Sequence, residues 1–529
     1  MKRYLRFMIF LFLHTILPHA DAQDRRAGAT CESLAGLPLP DTTITLTQTV
    51  AAGALDIHPK YFPASLPGTP PLKELPAFCR VAADIRPTKD SDIKIEVWMP
   101  LSGWNGKFQS VGNGALSGAI WYPFLAENLS RGYATAGTDT GHEGKPSDIT
   151  WVVGHPEKVV DSGYRAIHEM TVKAKAIIQA FYGNEPRHSY WSSCSTGGRQ
   201  GLMEAQRFPG DYDGIIAGAP GNFVTHKLAS DIWIEQALFS IPEEKVRMIH
   251  KAVLKACDTL DGVEDGMIED PTRCHVDPSQ LQCKQSDGAN CLTTAEVEAA
   301  RRIYAGPQNP RTGDQIFPGL EPGSEPGWVQ YRATPDSEPL GAIYFKLVLG
   351  NPNWDFRTMN FDTDVAFADK RDGAIVNAVD PNLKPFVSRG GKLILFHGWS
   401  DPSAPLNTIN YYNSVVSELG RATVRDSVRL FMIPGQYHCG DGRWLFDVLG
   451  ALDNWSEHGK APDRIVASRY GNPEGQLVRS IPFQLSTWSS VLGKVDRTRP
   501  LCPYPQIAKY TGHGSTDEAA NFVCTEASR

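Results

Sequence analysis

The chain has 529 residues, of which 41% are hydrophobic and 21% charged, so its composition is that of a globular protein and excludes disordered and fibrous classes. A formal net charge of -7 without a long basic run gives no support to nucleic-acid binding. The length accommodates one large core with a sizeable insertion, or roughly two to four ordinary domains.

The first 22 residues have the pattern of a secretory signal peptide. Lys2, Arg3 and Arg6 give a positive start, an apolar run follows from residue 7 to 17, and residues 20–22 form a small-x-small cleavage site. The run is too short to span a bilayer comfortably, which makes a membrane anchor the weaker alternative. We therefore expect a secreted or periplasmic protein, with no membrane partner.

Ten cysteines, an even number, fit an exported chain that forms disulfides in an oxidising compartment. Sequence alone does not fix connectivity, so the pairs remain a hypothesis based on proximity. Metal ligation by thiolates is the alternative, weakened because the sequence has no C-x-x-C pair. The suggested pairs are Cys31 with Cys79, Cys257 with Cys274, Cys283 with Cys291 and Cys502 with Cys524, which leaves Cys194 and Cys439.

Short β-rich apolar runs lead into a strand–helix alternation before residue 220. Residues 164–183 carry apolar side chains at helical spacing and end at Gly183, a typical helix stop. Such alternation predicts a parallel sheet with crossover helices. The predicted strands are 93–100, 106–114, 132–141, 188–195 and 212–220, and the predicted helices are 164–183 and 197–208.

The pattern changes between residues 221 and 385, where Pro, Gly, Asp and cysteine loops dominate. Alternation then resumes with strands at 390–401 and 428–440 and helices at 408–419 and 444–458. We interpret residues 221–385, called the lid below, as an insertion into one α/β domain made of 23–220 and 386–529. A separate tandem domain is the alternative, but the resumed strands favour an insertion.

Ser195, in "YWSSCSTGGRQG", follows a predicted strand and precedes a predicted helix. A tight turn there exposes the hydroxyl and directs the following backbone N–H groups at a bound anion. Gly197 and Gly198 remove side chains that would crowd such a turn. Ser193 stands where the pattern G-x-S-x-G has its first glycine, and it is small enough to be tolerated at some strain. A serine in a turn is more often only a turn residue.

Two later residues strengthen the hypothesis of a nucleophile. Asp401 follows the strand "KLILFHGWS" and His438 follows "VRLFMIPGQY", which gives the order serine, acid, histidine of α/β-hydrolases. Asp401 can also be read as a helix cap or turn residue, and His438 as a structural histidine. Taken together, these alternatives require three coincidences.

Cys194 precedes the candidate nucleophile and Cys439 follows the candidate base. A hydrogen bond between Ser195 and His438 brings the two backbones close enough for these cysteines to meet, so we expect a disulfide that fixes the histidine loop. The rival interpretation makes Cys194 the nucleophile. Export to an oxidising compartment argues against a free reactive thiol.

The segments "CSTGGRQG", "HGWSDP" and "PGQYHC" resemble the tannase/feruloyl esterase family, which includes an enzyme that hydrolyses the terephthalate monoester of ethylene glycol. The resemblance covers most of the chain after the signal peptide. It implies an α/β-hydrolase fold with a large inserted lid and a Cys-Ser, Asp, His-Cys signature, matched here by Cys194-Ser195, Asp401 and His438-Cys439. Ser193 and the bulky Tyr437 depart from the expected pattern beside the catalytic residues.

The resemblance also implies a structural Ca²⁺ in the lid. Residues 257–274 independently place Asp258, Asp261 and Asp265 in one glycine-containing loop, and such hard oxygen ligands suit Ca²⁺. By the family pattern, the carbonyls of Val263 and Met267 complete the ligands. The spacing is not that of an EF-hand, and a solvated acidic loop is the alternative.

The expected mechanism is nucleophilic ester hydrolysis. His438 removes the Ser195 proton and Asp401 stabilises the resulting imidazolium. We expect the oxyanion to be held by the backbone N–H groups of Thr196 and Gly112, the latter in "VGNG". Asn113 or Gly114 is an alternative second donor, and an ordinary glycine turn is the alternative reading of this loop.

The expected substrate is a small aromatic ester, with ferulate on plant polysaccharide as first choice, gallate esters second and a terephthalate monoester third. Lid residues 341–361 are rich in aromatics that suit a planar acyl group, and Trp354, Arg357 and Tyr437 are the candidate contacts. Trp354 can equally belong to the lid core, and an exposed salt bridge is the usual role of a single arginine. A carbohydrate-binding protein on the same fold and a metalloenzyme are the competing classes.

Overall fold

We describe a computed structural model of the chain, which covers residues 28–57, 72–144, 148, 150–284, 288, 290–332, 338–440, 444–470 and 494–526. The predicted signal peptide, residues 1–22, lies outside the described residues.

The centre of the described structure is a nine-stranded sheet. Its strands are β1 (Thr42–Val50), β2 (Phe78–Ile85), β3 (Ile93–Pro100), β4 (Lys107–Ser110), β5 (Ala134–Thr138), β6 (His188–Cys194), β7 (Gly214–Gly218), β8 (Lys392–Gly398) and β9 (Val428–Ile433). They lie in the order β1-β2-β3-β5-β4-β6-β7-β8-β9. Strands β4 to β9 pair in parallel, whereas β1, β2 and β3 form an antiparallel edge whose β3 also pairs antiparallel with β5. The mainly parallel sheet that the sequence predicts is confirmed.

Helices cover both faces of the parallel strands, as the crossover connections between parallel neighbours require. The helix predicted at 164–183 is α3, which ends against Gly183 in a left-handed conformation with φ 74°. The described helices are α1 (Tyr122–Ser130), α2 (Pro156–Val160), α3 (Ala166–Tyr182), α4 (Thr196–Arg207), α5 (Val224–Leu238), α6 (Glu243–Cys257), α7 (Thr294–Ala305), α8 (Glu325–Trp328), α9 (Leu340–Val348), α10 (Thr363–Ala368), α11 (Ala374–Val376), α12 (Lys384–Ser388), α13 (Leu406–Leu419), α14 (Arg421–Ser427) and α15 (Val448–His458).

The helix predicted at 444–458 is wrong at its start. Trp444–Leu445 forms a short strand, β10, and α15 begins only at Val448, with the Asp447 carboxylate accepting the N–H of Gly450. The N-capping carboxylate is therefore the local signal that marks the true start of the helix.

Two small sheets lie near the C-terminus. Strand β10 pairs with β11 (Ile465–Tyr470), which pairs with β12 (Val495–Leu501), and β13 (Gln506–Tyr510) pairs with β14 (Phe522–Glu526). All of these pairings are antiparallel. These strands are not predictable from local sequence, because they carry charged residues and lack a clear apolar alternation.

The segment between β7 and β8 is mostly helical. It connects two strands that are neighbours in the sheet. Strand β7 pairs in parallel with β8, with Gly214 opposite Lys392, although helices α5 to α12 lie between them in the chain. Helices α5 to α10 pack around their own buried cluster, which includes Ile249, Trp328 and Phe345. Phe386 and Val387 of α12 belong instead to the cluster of the sheet, so the apolar core of the lid ends before α12.

All ten cysteines are paired, and the five disulfides join the pairs that the sequence suggested. Cys283–Cys291 and Cys257–Cys274 close lid loops of 8 and 17 residues. Cys194–Cys439 spans 245 residues and joins the two halves of the sheet domain. Among the described residues, we find no helix with both the length and the apolar character that a membrane crossing requires.

Candidate active site

Ser195 lies at the turn between β6 and α4. Its backbone has φ 62° and ψ -124°, a conformation that side-chain-bearing residues rarely adopt. Its N–H donates to Gly218 O of β7 at 2.9 Å, and its own carbonyl accepts the N–H of Arg199 as α4 begins. The strained turn thus places the Ser195 side chain at the carboxyl end of the parallel strands, as in a nucleophile elbow.

The turn forms without the first glycine of G-x-S-x-G because its last glycine makes room. A Cβ at Gly197 would lie 1.9 Å from Ser193 Oγ, so the serine hydroxyl fills the space that a larger residue 197 would need. A Cβ at Gly198 would lie 2.4 Å from Gly218 O, which shows how closely α4 approaches β7. Ser193 is therefore accommodated only in combination with glycine at 197.

Asp401 and His438 lie together after β8 and β9. His438 Nδ1 is 2.7 Å from Asp401 Oδ2, and the Asp401 side chain is completely buried whereas that of His438 is 29% exposed. Burial alone would raise the pKa of Asp401, but the neighbouring His438 and hydrogen bonds from two histidines hold it well below its ordinary value. The buried Asp401 is thus an anion that contacts the partly exposed imidazole of His438.

The second histidine on Asp401 is His397, a residue that the sequence analysis did not single out. His397 Nε2 is 3.0 Å from Asp401 Oδ2 and its Nδ1 is 2.7 Å from Thr408 Oγ1. The N–H of Ser403 donates to the other carboxylate oxygen at 2.8 Å. The available signal was a histidine at an inward-facing position of the buried strand β8, four residues before the acid.

The disulfide Cys194–Cys439 links the residue before Ser195 to the residue after His438, with their Cα atoms 5.9 Å apart. Cys439 also has a positive φ, 55°. The bridge brings together the serine turn and the histidine loop, and it leaves Cys194 without a free thiol. Cys194 therefore does not act as the nucleophile in this oxidised state.

The "VGNG" loop after β4 packs directly on the serine turn. A Cβ at Gly112 would lie 2.7 Å from the Cα of Gly197, and Thr196 Oγ1 donates to Ala115 O at 2.8 Å. The N–H of Asn113 already donates to Gln200 Oε1 at 3.0 Å. The Asn113 N–H is thus engaged elsewhere, which leaves Gly112 and Gly114 as candidates in this loop for the second oxyanion donor.

The lid touches the catalytic loops at defined points. A Cβ at Gly327 of α8 would lie 3.1 Å from Pro402 and 3.3 Å from the Tyr437 ring, the neighbours of the acid and of the histidine. Asn222 at the start of the lid accepts a 2.7 Å hydrogen bond from Asn407 of α13. Tyr437, a predicted substrate contact, therefore lies where the lid meets the histidine loop.

The predicted calcium loop holds its aspartates inward. Asp258 accepts the N–H groups of Asp265 and Gly266, and Asp261 accepts that of Val263. Burial raises the pKa of Asp261 to about 6, with the neighbouring carboxylates adding to the effect. Asp265 Oδ1 is buried without a hydrogen-bond partner among the described residues. This donor set fits a hard cation such as Ca²⁺.

The calcium loop also contacts two other parts of the molecule. Arg497 and Arg499 of β12 both donate to Asp265 Oδ2, the former at 2.9 Å. A Cβ at Gly435 would lie 2.9 Å from Met267 Cγ, so Met267 packs against the turn that precedes His438. The calcium loop therefore contacts both the turn before His438 and strand β12.

One trio of potential metal ligands, His168, Glu204 and Asp211, has its ligand atoms within 4.8 Å of one another in the described part of the chain. It is not the predicted set. The 2.6 Å separation of His168 Nδ1 and Asp211 Oδ2 is that of a hydrogen bond and is shorter than two ligands of one ion normally approach. Asp258, Asp261 and Asp265 do not form a trio with this close spacing in the described part of the chain.

The other two predicted substrate contacts lie within the lid. Arg357 pairs with Asp355 at 2.8 Å and its side chain is 67% exposed. Trp354 is partly buried against the lid core, with its ring 6.0 Å from that of Phe345. Their roles in substrate binding stay predictions.

Comparison with known proteins places this geometry in a family. The family described as "Tannase and feruloyl esterase" matches residues 79–525. The chain is 37% identical to an uncharacterized esterase of Xanthomonas campestris pv. campestris, over 95% of this chain and 92% of the relative. It is 31% identical to the mono(2-hydroxyethyl) terephthalate hydrolase of Piscinibacter sakaiensis, over 87% of this chain and 86% of the relative.

A solved structure agrees with the sequence relatives. The crystal structure of feruloyl esterase B from Aspergillus oryzae superposes with a TM-score of 0.82 at 29% identity, covering 94% of this chain and 99% of that chain. The mainly parallel sheet with its helices is thus that of an α/β-hydrolase. The chain belongs to the tannase and feruloyl esterase family and is a carboxylic-ester hydrolase.

Proposed function

We propose that the protein is a secreted serine carboxylesterase acting on esters of small planar aromatic acids, with feruloyl esters of plant polysaccharide as its substrates. One observation carries the assignment of the nucleophile. The disulfide Cys194–Cys439 brings the strained turn of Ser195 next to the loop in which His438 is hydrogen-bonded to the buried, ionised Asp401.

In the proposed mechanism, His438 removes the proton of Ser195 while the hydroxyl oxygen attacks the ester carbonyl. Asp401 orients the imidazole and stabilises the imidazolium through its 2.7 Å contact with Nδ1. The N–H groups of Thr196 and Gly112 stabilise the oxyanion. His438 then protonates the leaving alcohol, and a water molecule activated by the same histidine releases the acid.

Replacement of the nucleophile tests the assignment. We expect Ser195→Ala to lower kcat for a chromogenic aryl ester by about 10⁴-fold or more, because nucleophile and base act as a unit. The exposed Ser388→Ala is the matched control and should keep the wild-type rate. A Ser195→Ala protein with the wild-type circular dichroism spectrum and wild-type turnover would exclude the nucleophile and favour the carbohydrate-binding or metalloenzyme alternative.

The substrate class follows from the family and from the lid. The relatives include a feruloyl esterase and a terephthalate monoester hydrolase, which act on esters of planar aromatic acids. Lid residues 341–361 are rich in aromatics, a composition that suits such acyl groups, although Trp354 and Phe356 pack in the lid cluster. All three candidate acids are planar, so neither observation separates ferulate from gallate or terephthalate.

A comparison of kcat/KM for methyl ferulate, methyl gallate and mono(2-hydroxyethyl) terephthalate decides among them. We expect the highest value for methyl ferulate. A clear preference for either of the other two would replace ferulate as the substrate and leave the proposed catalytic residues untouched.

We propose in addition that the lid holds one structural Ca²⁺. The side chains of Asp258, Asp261 and Asp265 and the carbonyls of Val263 and Met267 would bind it. When bound, the ion would neutralise Asp258 and Asp261, share Asp265 with Arg497 and Arg499, and stiffen the loop that contacts the histidine loop. It has no part in activating water, because the catalytic proton transfers are assigned to His438.

Secretion is supported by the disulfides and by the N-terminal pattern. Five disulfides form readily only in an oxidising compartment. Residues 1–22 would be removed on export. Mass spectrometry of the protein recovered outside the cytoplasm should give an N-terminus at Gln23, and an intact Met1 on the exported protein would contradict this.

A further inference from the structure

His397 is buried, only 1% exposed, between the catalytic acid and helix α13. Its Nε2 is 3.0 Å from Asp401 Oδ2, the same oxygen that His438 Nδ1 approaches to 2.7 Å. Its Nδ1 is 2.7 Å from the hydroxyl of Thr408, which is itself fully buried. Asp401 Oδ2 thus lies between two histidine rings, one exposed towards the substrate side and one enclosed.

The partners of His397 determine where its proton lies. Asp401 is ionised and accepts hydrogen bonds only, so His397 Nε2 must carry the hydrogen. Nδ1 of the neutral ring is then an acceptor, and the Thr408 hydroxyl can donate to it. The Thr408 hydroxyl can also accept a hydrogen from Nδ1, so it fixes the orientation of the His397 ring in either case.

We propose that His397 is a positioning residue for the esterase reaction, and that Thr408 fixes its orientation. The proposal rests on the proposed function, because it assigns His397 a role through Asp401 and His438. The Nε2–H of His397 and the N–H of Ser403 hold the two oxygens of Asp401. The carboxylate is thereby fixed in the plane from which Oδ2 reaches His438.

Ionisable groups also face this pair from α5, where the buried Asp231 is paired with Lys227 at 2.8 Å. The pH profiles of the His397 variants are therefore compared with Asp231 and Lys227 unchanged.

Two substitutions at His397 separate a hydrogen-bonding role from a merely structural one. His397→Gln keeps an N–H donor for Asp401, and His397→Leu keeps the volume without the donor. We expect kcat for a chromogenic aryl ester to fall about 30- to 100-fold in His397→Leu and less than about fivefold in His397→Gln, with KM within about threefold in both. The acid limb of the kcat/KM profile should move to higher pH in His397→Leu alone, because Oδ2 then has His438 as its single imidazole donor.

A second pair of variants keeps the proposal testable if His397→Leu fails to fold. Thr408→Val preserves shape and removes the hydroxyl, whereas Thr408→Ser restores it. We expect kcat to fall about three- to tenfold in Thr408→Val and to recover in Thr408→Ser. Nitrogen-15 NMR of the ring should show hydrogen on Nε2 in the wild type and in Thr408→Val, because Asp401 accepts from this atom in both.

The outcomes distinguish this proposal from the proposed function. Equal losses of kcat in His397→Gln and His397→Leu with an unmoved pH profile would overturn the positioning role, as would full activity of folded His397→Leu. Either result leaves the assignment of Ser195 intact. Undiminished turnover by Ser195→Ala would instead overturn the proposed function, whatever the His397 variants do.

Discussion

The catalytic site and the lid are stabilised by different disulfides. At the carboxyl end of the parallel strands, called the catalytic end below, the disulfide Cys194–Cys439 spans 245 residues, and Asp401, after β8, is hydrogen-bonded to His438, after β9. In the lid, two disulfides close loops of only 17 and 8 residues, and most helices pack around their own cluster. A long-range disulfide therefore fixes the reacting atoms, whereas the disulfides of the lid are local.

The difference implies that the two regions affect different properties of the enzyme. Substitutions at the catalytic end of the sheet should change kcat, because they move the groups that react. Substitutions in the lid should change stability or KM, because the lid reaches the catalytic loops at a few contacts such as Gly327 against Pro402 and Met267 against Gly435. Four measurements can confirm or break this division.

The largest effect is expected from removal of the long-range disulfide. Cys194→Ser with Cys439→Ser should lower the free energy of unfolding by about 4 to 5 kcal/mol, and Cys283→Ser with Cys291→Ser by about 2 kcal/mol, because a longer closed loop restricts the unfolded chain more. Only the first pair should also lower kcat. Urea unfolding and ester hydrolysis measure the two effects, and an unchanged kcat in the first pair would contradict the division.

Buried carboxyls predict how stability responds to pH in each region. Burial raises the pKa of Asp139, after β5, to about 7 and that of Glu321, in the lid, to about 7. Because each folded-state pKa is raised, the stabilising contribution is complete below about pH 4 and is lost as pH rises to about 7. Asp139→Asn and Glu321→Gln should therefore stabilise the protein at pH 8 relative to pH 4, by at most about 4 and 3 kcal/mol.

Thermal unfolding at pH 4.5 and pH 8 measures this response, with the exposed Glu185→Gln as control. A single transition that shifts in both variants would show that the sheet and the lid unfold together. Should Asp139→Asn leave the pH dependence unaltered, the carboxyl must already be ionised in the folded protein.

We expect Ca²⁺ to affect the stability of the protein more than the rate of ester hydrolysis. Asp261→Asn should abolish the gain of about 2.7 kcal/mol expected from Ca²⁺ at 100 times its Kd, and leave kcat of the folded protein unchanged. Glu264, exposed in the same loop, gives the matched control Glu264→Gln. Calorimetric melting with and without chelator measures the gain. Elemental analysis that found no calcium in active wild-type protein would contradict the proposed Ca²⁺ site.

The smallest effect is expected at Arg357, whose guanidinium is exposed and paired with Asp355. Arg357→Ala should leave the melting temperature unaltered, because exposed ion pairs contribute little. We expect KM for methyl ferulate to change less than about twofold, as for the similarly exposed Arg425→Ala. A tenfold rise in KM confined to Arg357→Ala would assign this residue to substrate binding.

Much of the sheet could be predicted from local patterns. Strand β3 has the bounds expected from its apolar run, and α3 ends at Gly183 as its pattern predicts. Strands β1 and β2 were missed, as was β12, whose sequence "VDRTRPL" combines charges with a proline. Such strands form because a neighbouring strand supplies hydrogen bonds, and single-segment patterns carry little of that information.

The sequence by itself determined that Ser195, Asp401 and His438 follow three strands in this order along the chain. It also determined the turn at Ser195, because both features depend on residues adjacent in the chain. Only the tertiary structure decided that His397, itself held by Thr408, is hydrogen-bonded to Asp401 and that Arg499 donates to Asp265. Those contacts depend on how α13 packs beside β8 and on where β12 lies against the lid. Packing between distant segments is set by the whole core, so no local spacing could have specified them.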